Sequence, residues 1–141
     1  MQIFLLSMFL FYGKSLGFQQ EHDINRIEFA TSTRGYHKIV AITMRAIKIS
    51  EQAKGEENEI TTEKKLNPHQ WQQLMNALRD VSLTEISSLK SPTMKRAFDG
   101  ARASTITITN SKGEIFSHSF DNENPNEKLE PLMRLLLDLE K

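Results

Sequence analysis

Ser117-His118-Ser119, followed by Asp121, contains the side-chain types of a nucleophile, a base and an acid. A serine and a histidine carry out nucleophilic catalysis only when hydroxyl and imidazole meet. Neighbouring residues of a β-strand point to opposite faces, so Ser117 and His118 cannot meet if this segment is a strand. The chain also lacks the G-x-S-x-G turn that exposes a catalytic serine. We therefore predict no catalytic residue in this motif.

The histidines are equally uninformative as metal ligands. They are His22, His37, His69 and His118. They show no HxH, HxxxH or HExxH spacing, the chain has no cysteine, and no glycine-rich phosphate loop is present. We predict no metal or cofactor site. His118, next to apolar residues, is predicted to be a partly buried histidine with one hydrogen bond.

The segment from Lys90 to Arg102 has the most uneven charge in the chain. Its ionisable residues are Lys90, Lys95, Arg96, Asp99 and Arg102, whereas Glu51 to Glu63 is mostly acidic. Two interpretations stay open: two solvated surfaces of opposite sign, or a basic loop that recognises an acidic partner. For the second, the predicted partner-binding residues are Arg34, Lys95, Arg96, Asp99 and Arg102.

A long irregular loop needs internal packing or a function to offset the entropy of ordering it. We expect Met94 and Phe98 to anchor this loop on the core, leaving the basic side chains in solvent. For Asp99 we consider two roles: it begins a tight turn with Gly100, or it pairs with Arg96 and orients that guanidinium.

Ser104 to Phe120 predicts a β-hairpin that positions these residues. Asn110-Ser111-Lys112-Gly113 suits a type I turn followed by a glycine in the left-handed region. If Asn110 faces Glu114, then Ile108 faces Phe116 and Ile106 faces His118. One face is then apolar, and the other carries serines and threonines.

The other elements complete an α+β fold: an antiparallel sheet of about five strands with two helices packed on one face. Residues 24–31 alternate as a strand. Residues 36–50 predict one long bulged strand, or alternatively a helix, because their apolar positions switch parity. Residues 54–58 predict a hairpin tip, and residues 59–65 a solvated edge strand with lysines.

Two segments have the composition of helix starts. Asn67-Pro68-His69-Gln70 places an N-cap, a first-turn proline and a capping-box glutamine in order, and Asn124-Pro125-Asn126-Glu127 repeats the pattern. Pro131 predicts a kink or a short 3₁₀ start before Glu130. Leu83, Ile86 and Leu89 predict a short helical turn.

Composition and length indicate one globular domain. The chain has 141 residues, 38% of them hydrophobic and 26% charged. The apolar run Met1 to Tyr12 and the small-x-small sequence Ser15-Leu16-Gly17 predict a signal peptide over residues 1–17 and a single α+β domain over residues 18–141. A buried N-terminal strand or helix is the alternative. Export would deliver the domain to the periplasm or the outside.

Removing residues 1–17 takes away Lys14 and leaves a net charge of −1. No strong field then attracts nucleic acid, and aromatic residues do not alternate with lysine and arginine as in nucleic-acid-binding surfaces. We predict no nucleic-acid partner and no transmembrane segment in the mature chain. The expected partner is an acidic protein or an envelope component.

Several short motifs resemble small exported bacterial proteins of unknown function. They are Thr33-Arg34-Gly35, Leu66 to Trp71, Ser91-Pro92-Thr93 with Arg96 and Asp99-Gly100-Ala101, and Phe120-Asp121 with Asn124-Pro125. The resemblance implies no activity. Size and element order alone are similar to small α+β protease-inhibitor domains. We expect a non-catalytic binding domain; the alternatives are a small hydrolase with a dispersed site or a protease-inhibitor-like domain.

Overall fold

The computed structural model describes residues 23–141, which form six strands, two α-helices and three short 3₁₀ helices. The strands are β1 (Ile24–Thr33), β2 (Tyr36–Ile42), β3 (Ala46–Gln52), β4 (Ile60–Lys65), β5 (Ala103–Asn110) and β6 (Ile115–Asp121). The α-helices are α1 (Pro68–Leu78) and α2 (Glu130–Leu139), and the 3₁₀ helices are Leu83–Ser88, Lys95–Phe98 and Glu127–Leu129. The fold is α+β, as predicted, but the sheet has six strands instead of about five, because the segment predicted as one long strand forms both β2 and β3. The predicted signal peptide lies outside the described residues.

All neighbouring strands of the sheet are antiparallel, in the order β4-β3-β2-β1-β5-β6. The prediction of one long strand over residues 36–50 was wrong, as was its helical alternative. The chain reverses between Ile42 and Ala46, where the Thr43 N–H donates to the Ala46 carbonyl at 3.0 Å. Ile42 faces Ile47, so an even-numbered apolar position continues as an odd-numbered one. The parity switch therefore marks a tight turn.

The β5–β6 hairpin confirms the predicted register. Ile108 faces Phe116 and Ile106 faces His118. The Asn110 N–H donates to the Glu114 carbonyl at 3.1 Å, and Gly113 has a φ of +80°. The left-handed conformation at Gly113 is the one that glycine adopts without strain.

A single apolar core joins one face of the sheet to the helices. Its fully buried strand residues include Ile27, Phe29 and Phe120, and α1 and α2 add leucines and a methionine to the same cluster. The opposite face carries Thr105, Thr107, Ser117 and Ser119, whereas Ser104 is buried on the core face beside Thr31. The one-sided amphipathic pattern of the strands thus dictates where the helices lie.

The first helix begins as predicted, and the second does not. The Asn67 side chain accepts from the Gln70 N–H at 2.8 Å, and the Gln70 side-chain oxygen accepts from the Asn67 N–H at 3.0 Å. At the second start, Asn126 is the cap, and it precedes the 3₁₀ helix Glu127–Leu129. The prediction that Asn124 is the cap was wrong. Asn124 instead belongs to the turn after β6, where its N–H donates to the Asp121 carbonyl at 2.9 Å. The short 3₁₀ start before Glu130 is confirmed.

Among residues 23–141, no helix combines the length and the apolar character that crossing a membrane requires.

Candidate partner-binding surface

Ser117 and His118 lie on opposite faces of β6, as the strand argument predicted. The Ser117 hydroxyl lies 3.1 Å from the Thr107 hydroxyl on the face away from the core. His118 is 2% exposed on the core face, where its ring stacks on Phe120 at 5.4 Å. These two residues therefore do not form a nucleophile–base pair.

His118 ties β6 to the segments on either side of it. Its Nε2 accepts from the Asn126 N–H at 3.0 Å, and it also forms a backbone hydrogen bond with Leu89. Burial lowers the pKa of the imidazole below its usual value of 6.5, against the opposing effect of the Leu89 bond. The neutral ring serves as a buried structural connector, with one more hydrogen bond than predicted.

Asp121, at the end of β6, anchors the Lys90–Arg102 loop. Its carboxylate accepts from the Thr93 hydroxyl at 2.5 Å, the Lys95 N–H at 2.7 Å and the Arg96 N–H at 3.2 Å. Burial tends to raise the pKa of this carboxyl, but the hydrogen bonds from Thr93, Arg96 and Lys95 outweigh it and hold the pKa well below its usual range. The ionised carboxylate organises the loop.

Arg96 completes this anchor instead of facing solvent. Its guanidinium contacts Asp121 Oδ1 at 2.8 Å and the Thr93 carbonyl at 3.2 Å, and its side chain is only 16% exposed. It also reaches the Ser119 carbonyl at 3.5 Å. The prediction that Arg96 faces solvent was wrong because Asp121 supplies a buried partner from a distant part of the sequence.

Met94 and Phe98 were expected to anchor the loop on the core, and this was wrong. Met94 is 56% exposed and Phe98 is 87% exposed. The Asp121–Arg96 network already fastens the loop at its polar backbone groups, so no apolar anchor is needed. Phe98 consequently projects from a segment that is held in place from beneath.

Asp99 and Arg34 meet on the surface next to Phe98. Their side chains form an ion pair at 2.8 Å and are 72% and 88% exposed, so the pair contributes at most about 1 kcal/mol. Asp99 has a φ of +58° and ends the 3₁₀ helix Lys95–Phe98, while the Gly100 N–H donates to the Lys95 carbonyl at 2.8 Å. Asp99 therefore lies in a turn, but it ends the preceding 3₁₀ helix, whereas it was predicted to begin a tight turn with Gly100. The alternative pairing with Arg96 is wrong.

Arg102 is also engaged within the protein. Its guanidinium forms an ion pair with Glu123, and its Nε lies 3.4 Å from the Thr31 hydroxyl. Among residues 23–141, Lys90 and Lys95 are the basic residues of the loop that have no ion pair. The structure therefore places Arg34, Lys95 and Asp99 on the exposed surface and uses Arg96 and Arg102 as internal connectors.

Sequence reasoning missed a second polar group on the core side of the sheet. The Tyr36 hydroxyl donates to Glu51 at 2.9 Å, and Lys38 pairs with Glu140 at 2.6 Å. Burial first, and then the bond and charge of Glu51, raise the pKa of Tyr36 to about 12. The sequence pattern of β2 does not reveal these contacts, because their acidic partners lie elsewhere in the chain. Glu51 lies in β3, where the sheet register sets it opposite Lys38, and Glu140 lies at the end of α2.

No group of three or more histidine, aspartate or glutamate side chains within residues 23–141 is arranged to hold a metal ion. Comparisons with profiles of protein families, with curated proteins and with solved structures find no match to this chain.

Proposed function

We propose that this protein is an exported, non-catalytic binding domain that recognises a protein partner through one surface, here called the loop surface. The loop surface consists of Arg34, Met94, Lys95, Phe98 and Asp99. The observation that carries the proposal is that Phe98 is 87% exposed on a segment that Asp121 fixes in place.

An exposed aromatic ring is a favourable anchor for a partner. Aromatic side chains bury a large area on binding and are enriched among the residues that dominate interface energies. A loop that is already ordered loses less entropy on binding than a flexible one. The two backbone bonds from Lys95 and Arg96 to Asp121 provide that order directly before Phe98.

The charges around Phe98 define the partner's chemistry. Lys95 is exposed, and Arg34 keeps 88% of its side chain in solvent although it pairs with Asp99. A partner with an apolar pocket for Phe98 and carboxylates at the rim of that pocket would complement this surface. The internal pairing of Arg96 and Arg102 makes the expected electrostatic attraction weaker than the sequence alone suggested.

Export rests on the apolar run Met1 to Tyr12 and the Ser15-Leu16-Gly17 sequence. The expected product begins at Phe18 and resides in the periplasm or outside the cell. N-terminal sequencing of the protein from its native cell tests this. Recovery of a species with an intact Met1 from the cytoplasm would contradict export.

The binding role is tested by affinity capture from envelope extract with quantitative mass spectrometry. We compare the wild-type protein with Phe98→Ser and with Ile115→Ser, a control that removes another exposed apolar side chain, 67% exposed, from β6. The proposal expects one protein that the wild type and Ile115→Ser capture equally and that Phe98→Ser captures at least tenfold less. Equal capture by all three proteins would refute the role of the loop surface.

A further inference from the structure

In the sheet that residues 23–141 form, the strand β4 leaves one edge open. Each of its six residues is exposed, and within the described part of the chain it pairs with β3 on one side only. Ile60 in this strand is 62% exposed. An unpaired strand edge presents a row of backbone donors and acceptors that another strand can bind.

We propose that the open edge binds the β4 strand of a second copy of this chain. The two strands run antiparallel, so the two six-stranded sheets join into one sheet of twelve strands. The order of charges along residues 56–65, which end in β4, argues for a second copy. The start of this segment is acidic, with Glu56, Glu57 and Glu59, and its end is basic, with Lys64 and Lys65. Antiparallel pairing with an identical strand places the acidic end of each copy beside the basic end of the other.

Symmetry restricts the possible registers. A twofold axis that relates two antiparallel strands is perpendicular to the sheet, so residues that face each other come from the same face. The axis therefore passes beside a single residue that faces its own copy. For β4 the central candidates are Thr61, Thr62 and Glu63.

Charge selects the register centred on Thr62. A centre at Glu63 sets this carboxylate against the partner subunit's Glu63, and a centre at Thr61 sets Glu59 against the partner subunit's Glu63. Like charges that face each other directly destabilise a strand pair. A centre at Thr62 instead places Glu59 opposite the partner subunit's Lys65, twice by symmetry, and Thr62 opposite the partner subunit's Thr62.

The same register also covers exposed apolar surface. Ile60 comes to lie opposite the partner subunit's Lys64, whose aliphatic stem can cover the isoleucine while its ammonium group stays in water. The lysines that discourage pairing with an unrelated strand are thus matched in a strand of identical sequence.

The test is a charge exchange across the proposed dimer. The mass of the purified protein is measured by light scattering and analytical ultracentrifugation over a range of concentrations. The wild type is expected to form a dimer of twice the monomer mass. Glu59→Lys and Lys65→Glu, made singly, each set two pairs of like charges against each other and should weaken the dimer at least tenfold. The double variant Glu59→Lys/Lys65→Glu restores opposite charges and should recover the dimer.

Lys112→Glu is the matched control, because it reverses an exposed charge in the β5–β6 turn. Its dimerisation should equal that of the wild type. Three results would overturn the proposal. The wild type stays monomeric at about 100 μM, the single variants dimerise like the wild type, or the double variant dimerises as weakly as the single variants. Circular dichroism of every variant separates a lost dimer from a lost fold.

Discussion

The two edges of the sheet differ in how their backbone is protected. The β6 edge, here called the covered edge, is contacted by the 3₁₀ helices Leu83–Ser88 and Lys95–Phe98, and Arg96 reaches the Ser119 carbonyl. The open edge, β4, has exposed residues throughout. Edge strands invite pairing with other chains, and proteins manage this with cover or with charge. In this protein the 3₁₀ helices cover the β6 edge, and charged side chains protect the β4 edge.

The two covering helices are attached differently: Leu83–Ser88 buries Leu83 and Ile86 in the core, whereas Lys95–Phe98 is attached by polar contacts. Asp121 receives two backbone N–H groups, a hydroxyl and a guanidinium from the loop, whereas the apolar Met94 and Phe98 remain exposed. A buried carboxylate with several donors can order an irregular segment that contributes no side chain to the core. The covered edge is therefore also the part of the molecule that presents an ordered, exposed aromatic residue.

The largest difference between the edges is expected in how much the loss of an apolar side chain lowers the free energy of unfolding. Phe120→Ala in β6 removes a fully buried ring that stacks near Phe29 and His118, and it should lower the free energy of unfolding by about 3–5 kcal/mol. Ile60→Ala in β4 is the matched change at the open edge and should alter it by less than about 0.5 kcal/mol. Urea denaturation at a concentration where the chain is monomeric measures both. Similar losses for the two variants would contradict the comparison.

An intermediate effect is expected from the anchor of the covered edge. Arg96→Ser removes the guanidinium bonds to Asp121 and to the Thr93 carbonyl, and it should cost about 1.5–3 kcal/mol, the usual range for hydrogen bonds of charged groups. Lys95→Ser, one residue earlier, removes an exposed side chain but keeps the backbone bond to Asp121, so it should stay within about 0.5 kcal/mol.

Hydrogen exchange locates the effect of Arg96→Ser. The Lys95 and Arg96 amides, which donate to Asp121, should exchange faster in this variant than in Lys95→Ser. If both variants exchange at the wild-type rate and unfold at the same urea concentration, the Arg96–Asp121 pair does not hold the loop.

The smallest expected effect is the pH dependence that His118 gives to the covered edge. Burial lowers the pKa of His118 in the folded state, so the unfolded chain takes up the proton first and stability declines as the pH falls below about 6.5. The pKa of Asp121 is also lowered, so its contribution is complete above about pH 4 and is lost as the pH falls further, through its folded pKa.

Urea unfolding between about pH 7 and 5.5 isolates the histidine, because the Asp121 contribution does not change in that window. His118→Gln should show a weaker decline in stability than the wild type over this range. Equal slopes for the two proteins would show that His118 does not titrate as a buried neutral ring.

Local chemistry predicted several elements well. The Asn110 to Gly113 turn and the alternation on both sides of it were enough to predict the β5–β6 register, because turn geometry and a one-sided apolar face leave little freedom. The capping box at Asn67 was predicted for the same reason, since its two hydrogen bonds join residues three positions apart.

The errors occurred where two local patterns are equivalent. A parity switch in residues 36–50 fits a bulge as well as a tight turn, and only the pairing of Ile42 with Ile47 shows the reversal. Two asparagines near Pro125 both suit an N-cap. The bond from the Asn126 N–H to the buried His118 ring, together with the turn formed by Asn124, distinguishes them in the structure.

The Lys90–Arg102 loop shows most clearly which properties come from the sequence and which come from the tertiary structure. The sequence by itself determined that residues 90–102 form a basic, irregular segment between a helix and a hairpin, since charge and the absence of periodicity are local properties. Only the tertiary structure decided which of its side chains are exposed. Arg96 is partly buried against Asp121, 25 positions away, and Phe98 is in solvent because that ion pair, and not an apolar contact, fastens the loop. Hydrogen-bond partners so distant in sequence leave no periodic signal between them.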